Sequence, residues 1–264
     1  NAAKLLPELG CVPGFALDIT TEDENGMAWD FNRVEQRRKA REMVLRDKPL
    51  LLIGSPMCTR FSAWQRINDM KREPAVVAKE HIRAMVHIKF VMELYQLQAE
   101  AGRYFLHEHP AQASSWEEDV VRKTASIEGV QIVVGDQCQY GAEGRDLQLI
   151  KKPTKFMTNS EHIATALSKR CKGQFGNCSR AKGGHHKLCS GETAKRAAIY
   201  PFELCRAILR GFRDQMIADD RLKPGSVGLN CVMHDGMERC SVSEVLAFGD
   251  ASGELLKVKI ANAD

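Results

Sequence analysis

The sequence lacks several features that would place it in a special class of protein. It has no run of about 18 apolar residues, so we expect no membrane-spanning helix. It has no basic segment followed by an apolar core at its start, which is what a secretory signal requires. It also begins at Asn1 rather than at a methionine, so we expect an internal piece of a longer polypeptide, and the missing secretory signal makes an intracellular location the expectation. No internal repeat or long low-complexity tract is present.

The composition is that of an ordinary globular protein. Of the 264 residues, 44% are hydrophobic and 27% are charged, which is enough for one large domain and a small appendage. We expect an α/β domain over residues 1–220 and a tail or linker over 221–264, after the turn signal at 223–225. The nine cysteines are an odd number without a secretory signal, so we expect free thiols in a reducing compartment, with the nucleus as one option.

Short apolar runs alternate with helical patterns along the chain. The apolar runs, which are typical of strands buried on both faces, lie at 15–17, 50–53, 103–106 and 130–134. Helical patterns lie at 32–46, 76–101, 116–123 and 202–217. This alternation predicts an α/β fold with a doubly wound, mostly parallel sheet and helices on both faces.

Polar side chains follow the ends of these apolar runs. Asp18 follows the first, Cys58 the second and Glu108 the third, while a polar turn at 137–140 follows the fourth. Ligands of open α/β sheets bind beyond the carboxyl ends of the strands, so we expect one active-site crevice there. Cys58 is a nucleophile if nearby cations lower its pKa, or else a small buried hydrophobe. A zinc pair formed by the histidines on either side of Glu108 is an alternative.

Four segments, in this order, carry a family resemblance. Residues 54–62, Gly-Ser-Pro-Met-Cys-Thr-Arg-Phe-Ser, resemble the catalytic loop Gly-x-Pro-Pro-Cys-Gln-x-Phe-Ser of the C5-cytosine DNA methyltransferases. Residues 105–110 resemble the strand of that family that ends in Glu-Asn, and 138–141 resemble its Tyr-Gly turn. Residues 201–213 resemble its final helix. The variant pattern is similar to methyltransferase-like domains of phages and retroelement polyproteins.

The resemblance implies a fold of the S-adenosylmethionine-dependent methyltransferase type and a reaction. It implies that the Cys58 thiolate adds to C6 of a cytosine that has left the duplex stack, while Glu108 binds N3 and the exocyclic amine. C5 then takes the methyl group of S-adenosylmethionine. Arg145 is the nearest equivalent of the family's arginine motif, with Lys151 and Lys152 further on.

The resemblance also implies cofactor contacts. It places Asp18 at the ribose and Asp30 near the adenine, and it gives Pro56 the role of shaping the Cys58 loop. However, residues 2–9 already read as the first helix, so the first strand of the family and its Gly-rich turn are missing or degenerate. Met57, Thr59 and His109 also depart from the family pattern. A catalytically decayed nucleic-acid-binding module within a larger retroelement polyprotein is therefore the alternative.

Residues 158–198 occupy the position of the target-recognition region and are basic. Between 168 and 196 the chain has eight lysines and arginines against one acid, Glu192, which indicates either a solvated loop or a nucleic-acid contact, most simply to DNA. Cys171, Cys178, His185 and Cys189 can hold a tetrahedral zinc, or they are incidental thiols on a basic loop. A zinc-stabilised interaction domain without methyl transfer is the third hypothesis. Expected nucleic-acid contacts are Arg60, Ser62, Lys152, Lys169, Arg170, Lys172 and Arg180.

Overall fold

The fold is built on a four-stranded mixed sheet. The structure, a computed structural model, describes residues 16–144, 147–187, 189 and 191–223. The strands are β1 (Leu51–Gly54), β2 (Tyr104–Pro110), β3 (Gln131–Asp136) and β5 (Pro153–Thr158), in the spatial order β1-β2-β5-β3. Strand β1 pairs with β2 in parallel, whereas β5 is antiparallel to both β2 and β3. A separate two-stranded parallel ribbon joins β4 (Leu149–Ile150) to β6 (His186–Lys187).

The helices begin and end at recognisable signals. Helix α1 is Val34–Asp47, α2 is Ala63–Asp69, and the long α3, Pro74–Glu100, has a proline at its first position, where no backbone donor is lost. The other helices are α4 (Asp119–Ala125), α5 (Glu161–Ala166), α6 (Gly191–Arg196) and α7 (Phe202–Ala218). The side chains of Ser62 and Ser160 cap α2 and α5.

Helices cover both faces of the sheet. Leu51 and Ile53 of β1 point into one apolar cluster, which α5 and α7 complete. Leu52, between them, points into the other cluster, with residues of α1, α3 and α4. The alternation of a strand therefore places consecutive leucines in two separate cores, which explains why β1 is apolar throughout.

The prediction of a doubly wound, mostly parallel sheet is not confirmed, because β5 runs antiparallel between β2 and β3. Sequence analysis missed β5 since its apolar pattern is interrupted by Lys155 and by three threonine or proline residues, although Thr154 and Thr158 are completely buried. The predicted strand at 15–17 is also absent over its two described residues, which are Ala16 and Leu17.

Some predictions fall outside the described residues. These are the first helix at 2–9, Arg145, and the tail from residue 224 onward. Among the helices that the structure does describe, none combines the length and the hydrophobicity that crossing a membrane requires.

Candidate functional site

The loop that carries Cys58 leaves the sheet at a glycine. A Cβ atom at Gly54 would collide with the hydroxyl group of Tyr95, a fully buried side chain of α3, so only glycine fits where β1 ends. The chain then runs through Pro56 and Cys58 into a 3₁₀ turn, Thr59–Phe61. The half-buried Cys58 is thus held between the end of a core strand and the start of α2.

Glu108 lies beside this loop, in the neighbouring strand β2. Its side chain is buried, and its Oε2 atom accepts a hydrogen bond of 2.6 Å from the hydroxyl group of Ser55. The Lys152 ammonium lies 3.8 Å from Oε1 and also donates to the carbonyl oxygen of Ala197. Oε1 accepts no hydrogen bond from any residue that the structure describes. The sequence did not single out Ser55, and it predicted Lys152 as a nucleic-acid contact and a nearby cation rather than as the partner of Glu108.

His109 fastens the same loop to β2 from the other side. Its Nε2 atom lies 2.8 Å from the carbonyl oxygen of Pro56, which can only accept, so Nε2 carries the proton and donates. Its Nδ1 atom then accepts from the Ser115 hydroxyl at 2.6 Å. Burial lowers the pKa of His109, which keeps this neutral form. The departure from the family's asparagine therefore gives the loop a direct tie.

The groups around Cys58 act in opposite directions on the pKa of its thiol. Burial raises the pKa of its thiol, the positive charge of Lys152 lowers it, and the negative charge of Glu108 raises it again, with a net rise. Tyr200 is buried beside Ser55 and Glu108, and its pKa is raised well above the ordinary value by burial and then by the charge of Glu108. The structure thus brings Cys58, Glu108 and Lys152 within electrostatic reach of one another.

The two carboxylates predicted to hold the cofactor are used in local turns. Asp18 is buried, and its Oδ1 atom accepts from both the backbone N–H and the hydroxyl group of Thr20. Oδ1 of Asp30 accepts from the backbone and the side-chain amide of Asn32. Each carboxylate thus engages one oxygen, Oδ1, in a local turn, and the ribose and adenine contacts that the resemblance implies stay predictions. Pro56, the third residue of that set, lies in the Cys58 loop.

A cleft of about 800 Å³ opens next to the Cys58 loop. Met57 and Thr59, the neighbours of Cys58, line it, together with Asn32, in the turn before α1, and His87 of α3. Arg60 lines it too, but its guanidinium forms an ion pair of 2.6 Å with Asp69. The predicted nucleic-acid contact Ser62 is occupied as the cap of α2, where its Oγ atom accepts from the N–H of Gln65.

The predicted basic contacts beyond residue 168 differ in how free they are. Lys169 lies over the ring of Tyr140, and Lys172 is exposed. Arg170 pairs with Asp136 at 2.9 Å. Arg180 pairs with Glu143 at 2.7 Å. Part of the local positive charge is therefore neutralised by the domain itself, and Lys169 and Lys172 have no ion pair with any described acid.

A second constellation lies beyond the carboxyl end of β3. The ligand atoms of Cys138, Cys171, Cys178 and His186 all lie within 4.8 Å of one another, so this cluster can hold a metal ion. It shares Cys171 and Cys178 with the predicted set but replaces His185 by His186. It also replaces Cys189, which packs near Ala197 and feels the charge of Lys152, by Cys138. No spacing rule connects Cys138 to the others, because the fold alone brings the turn after β3 to this loop.

Comparisons with protein-family models, with curated proteins and with solved structures found no match for this chain.

Proposed function

We propose that the protein is a methyltransferase-like protein that acts on cytosine in DNA, with Cys58 as the nucleophile and Glu108 as the group that binds the base. The observation that carries the proposal is the 2.6 Å hydrogen bond from Ser55 to Glu108, which joins the cysteine loop to the acid. Lys152 reinforces it, since its charge acts on the carboxylate and on the thiol. A thiol, a carboxylate and a cation at one place are the groups needed for addition to a pyrimidine.

The Oε1 atom of Glu108 is the group that would recognise the base. A buried carboxylate oxygen that accepts no hydrogen bond costs free energy, and Oε1 is in this state among the described residues. The Watson–Crick edge of cytosine offers an amine donor next to N3, which suits a carboxyl group. Because Glu108 is 3% exposed, the base reaches it only when the Cys58 loop moves aside.

The addition step uses only this chain's own groups. Cys58 loses its proton to water, and its sulfur forms a bond to C6 of the base. The Glu108 carboxylate takes up a proton from water as the base enters. The C5–C6 π pair shifts toward C4, the C4–N3 pair moves onto N3, and N3 takes that proton, which returns Glu108 to its carboxylate form. The nearby Lys152 ammonium stabilises both the thiolate and the resulting carboxylate.

Transfer of a methyl group to C5 needs S-adenosylmethionine, whose predicted contacts Asp18 and Asp30 each engage Oδ1 in a local turn. The residues of the site support formation of the base adduct, and the second of the two probes below tests whether methyl transfer follows it. We place zinc, the other predicted group, outside this chemistry, since the cysteine and histidine cluster contains neither Cys58 nor Glu108.

Two mechanism-based DNA probes test the proposal. DNA with 2-pyrimidinone in place of cytosine is expected to form a covalent adduct without any cofactor, because C6 of that base is more electrophilic. DNA with 5-fluorocytosine is expected to form a stable adduct only when S-adenosylmethionine is present, because the fluorine blocks the final elimination. Cys58→Ser should abolish both adducts, whereas Cys189→Ser, which removes another thiol near Lys152, should retain them.

The alternative, a decayed module that binds nucleic acid without catalysis, is favoured by one observation: the net effect of the site is to raise the pKa of Cys58, which disfavours the thiolate at neutral pH. DNA binding without an adduct from either probe would establish this alternative and refute a catalytic Cys58. An adduct with 2-pyrimidinone alone would show a working base site without methyl transfer.

A further inference from the structure

The cysteine and histidine cluster has the dimensions of a metal site. In a tetrahedron with zinc–sulfur bonds of about 2.3 Å and a zinc–nitrogen bond of about 2.0 Å, the edges are about 3.8 Å between sulfurs and about 3.5 Å from sulfur to nitrogen. The Sγ atoms of Cys171 and Cys178 are 3.7 Å apart, and Nε2 of His186 lies 3.6 Å from Sγ of Cys171. A disulfide requires about 2.05 Å between its sulfurs, so this pair is not one.

Hydrogen-bond donors surround the sulfur atoms. The backbone N–H and the hydroxyl group of Ser179 point to Sγ of Cys171 at 3.5 and 3.6 Å. The side-chain amide of Gln139 points to Sγ of Cys178 at 3.3 Å and to that of Cys138 at 3.7 Å. Donors around sulfur stabilise negative charge, and such outer contacts are what orient the thiolate ligands of a metal.

The backbone of the loop is shaped to bring the ligands together. The N–H of Cys178 donates to Gly184 at 2.8 Å, and the N–H of His186 donates to Gly176 at 2.7 Å. A Cβ atom at Gly173 would overlap the carbonyl oxygen of Asn177, and Gly176 has a φ of +80°. This tight double turn leaves no room for a larger residue at Gly173.

Apolar packing alone is too small to hold this loop in place. The local buried cluster contains only Leu149 and three cysteines, and the described strand pairing of residues 171–187 consists of the two residues of β6 and one bridge between Asn177 and His185. A segment that buries so few apolar side chains needs a further crosslink, such as a disulfide or a bound metal, to hold its conformation. Asp136, which accepts from the N–H of Cys171 at 2.7 Å, fixes only the point where the loop begins.

We propose that Cys138, Cys171, Cys178 and His186 bind one zinc ion as a closed, structural centre. Four protein ligands leave no open position for water or substrate, so the ion has no part in a reaction. Binding exchanges the protons of the three thiols for the metal, and these protons go to solvent. The centre fixes the basic loop to the turn that follows β3, and it presents Phe175, which is 94% exposed, at the tip of the loop.

Zinc content of the whole chain tests the ligand set. The wild-type chain, supplied with zinc sulfate and then desalted, is expected to retain one zinc per chain in elemental analysis. Cys138→Ser, Cys171→Ser and His186→Ala should each lose the zinc. Cys189→Ser and His185→Ala should retain it, because they alter the two predicted ligands that lie outside the cluster. Retention in the first group or loss in the second would overturn the four-residue assignment.

A measurement on the unmodified chain covers the case in which the variants do not fold. Replacement of zinc by Co²⁺ should give the intense visible absorption of a tetrahedral cobalt site and the thiolate-to-cobalt charge-transfer bands of three sulfurs. Bound zinc should also protect Cys138, Cys171 and Cys178 from alkylation, read peptide by peptide, while Cys189 still reacts. A wild-type chain that binds neither ion would refute the centre. None of these readouts depends on the base adduct of Cys58.

Discussion

The site around Cys58 and the cluster around Cys171 use the same side chain in opposite surroundings. Around Cys58 burial dominates, and the pKa of the thiol rises despite Lys152. Burial is the largest single effect on Cys171 and acts to raise its pKa, but hydrogen bonds from the N–H groups of Ser179 and Gly173 and from the side chains of Ser179 and Cys178 together lower it to about 6. Three sulfurs and a histidine converge at Cys171, whereas Cys58 faces a carboxylate and an ammonium group. The environment therefore decides whether a cysteine is suited to bind a metal or to react.

The two regions also differ in what holds them. The Cys58 loop is anchored to β1 and β2, whose side chains fill two large apolar clusters, and to His109 by a hydrogen bond. The loop of the cluster rests on four buried residues. We infer that the first site belongs to the cooperative core and that the second depends on its metal.

Removal of zinc should separate the two regions, and this is the largest effect that we expect. Structural zinc contributes about 10–16 kcal/mol of apparent binding free energy, so a chelator should abolish amide-exchange protection over residues 171–187. Strands β1 and β2 should retain their protection. Loss of protection in both regions, or in neither, would contradict the separation. The measurement is hydrogen exchange by mass spectrometry with and without a chelator.

The next largest effect is expected from Lys152, the partly buried cation that faces the buried Glu108. Lys152→Met leaves the Glu108 carboxylate without its ion pair and should cost about 3 kcal/mol of unfolding free energy in denaturant titrations. Lys151→Met, one residue away and half-exposed, should change it by less than about 0.5 kcal/mol. The double variant Lys152→Met/Glu108→Gln should recover part of the loss. Equal costs for the two lysines would show that the pair is unimportant.

The predictability of the fold follows the same division. The sequence predicts five elements within a few residues: strands β1 and β2 and helices α1, α3 and α7. Their buried positions are occupied by apolar residues in a run or at helical spacing, which is a local pattern. Strand β5 could not, since its buried threonines look like loop residues and only the fold shows that Thr158 and Thr154 are covered. The direction of β5, and with it the mixed character of the sheet, was missed for the same reason.

The candidate sites were predictable only where a local motif exists. The loop pattern singled out Cys58, and the strand end singled out Glu108. Ser55 as the partner of Glu108, and Cys138 as a member of the metal cluster, depend on contacts between distant segments. The choice of His186 over His185 depends on which of two adjacent residues, the first of β6 or the one before it, faces the cluster, and sequence spacing does not settle this.

We expect the loop of the cysteine and histidine cluster to contact nucleic acid through Phe175. An exposed aromatic ring on a basic loop stacks on unpaired bases, and each such stack contributes about 1–3 kcal/mol. Phe175→Ala should weaken binding of single-stranded DNA accordingly in fluorescence anisotropy, while zinc content stays unchanged. The matched control is Ile82→Ala, which removes another exposed apolar side chain, on α3. Equal affinities of the two variants would exclude Phe175 from the contact.

Acid should weaken the Cys58 region through its buried histidines. Burial lowers the pKa of both His107 and His109 from the ordinary value of 6.5, so the folded protein holds them neutral. Their contribution to the free energy of unfolding is fully present above pH 6.5. It is lost as the pH falls from there toward the pKa values of the folded protein, by at most about 1.4 kcal/mol per histidine per pH unit. His107→Phe should flatten the dependence of the melting temperature on pH below 6.5. His162→Gln, at a half-exposed site, should leave it unchanged.

The smallest expected effect is on the reactivity of Cys58 itself. Glu108→Gln removes a negative charge that raises the pKa of the thiol, so alkylation at pH 7.5 should become several-fold faster. Lys152→Gln removes a positive charge that lowers this pKa, so alkylation should become slower. The rate is read by mass spectrometry on the peptide that contains Cys58, with the Cys205 peptide as an internal control for unfolding. The two substitutions are expected to change the alkylation rate in opposite directions. Faster alkylation in both variants would therefore indicate a loosened loop, and it would mean that packing rather than charge governs the reactivity of this thiol.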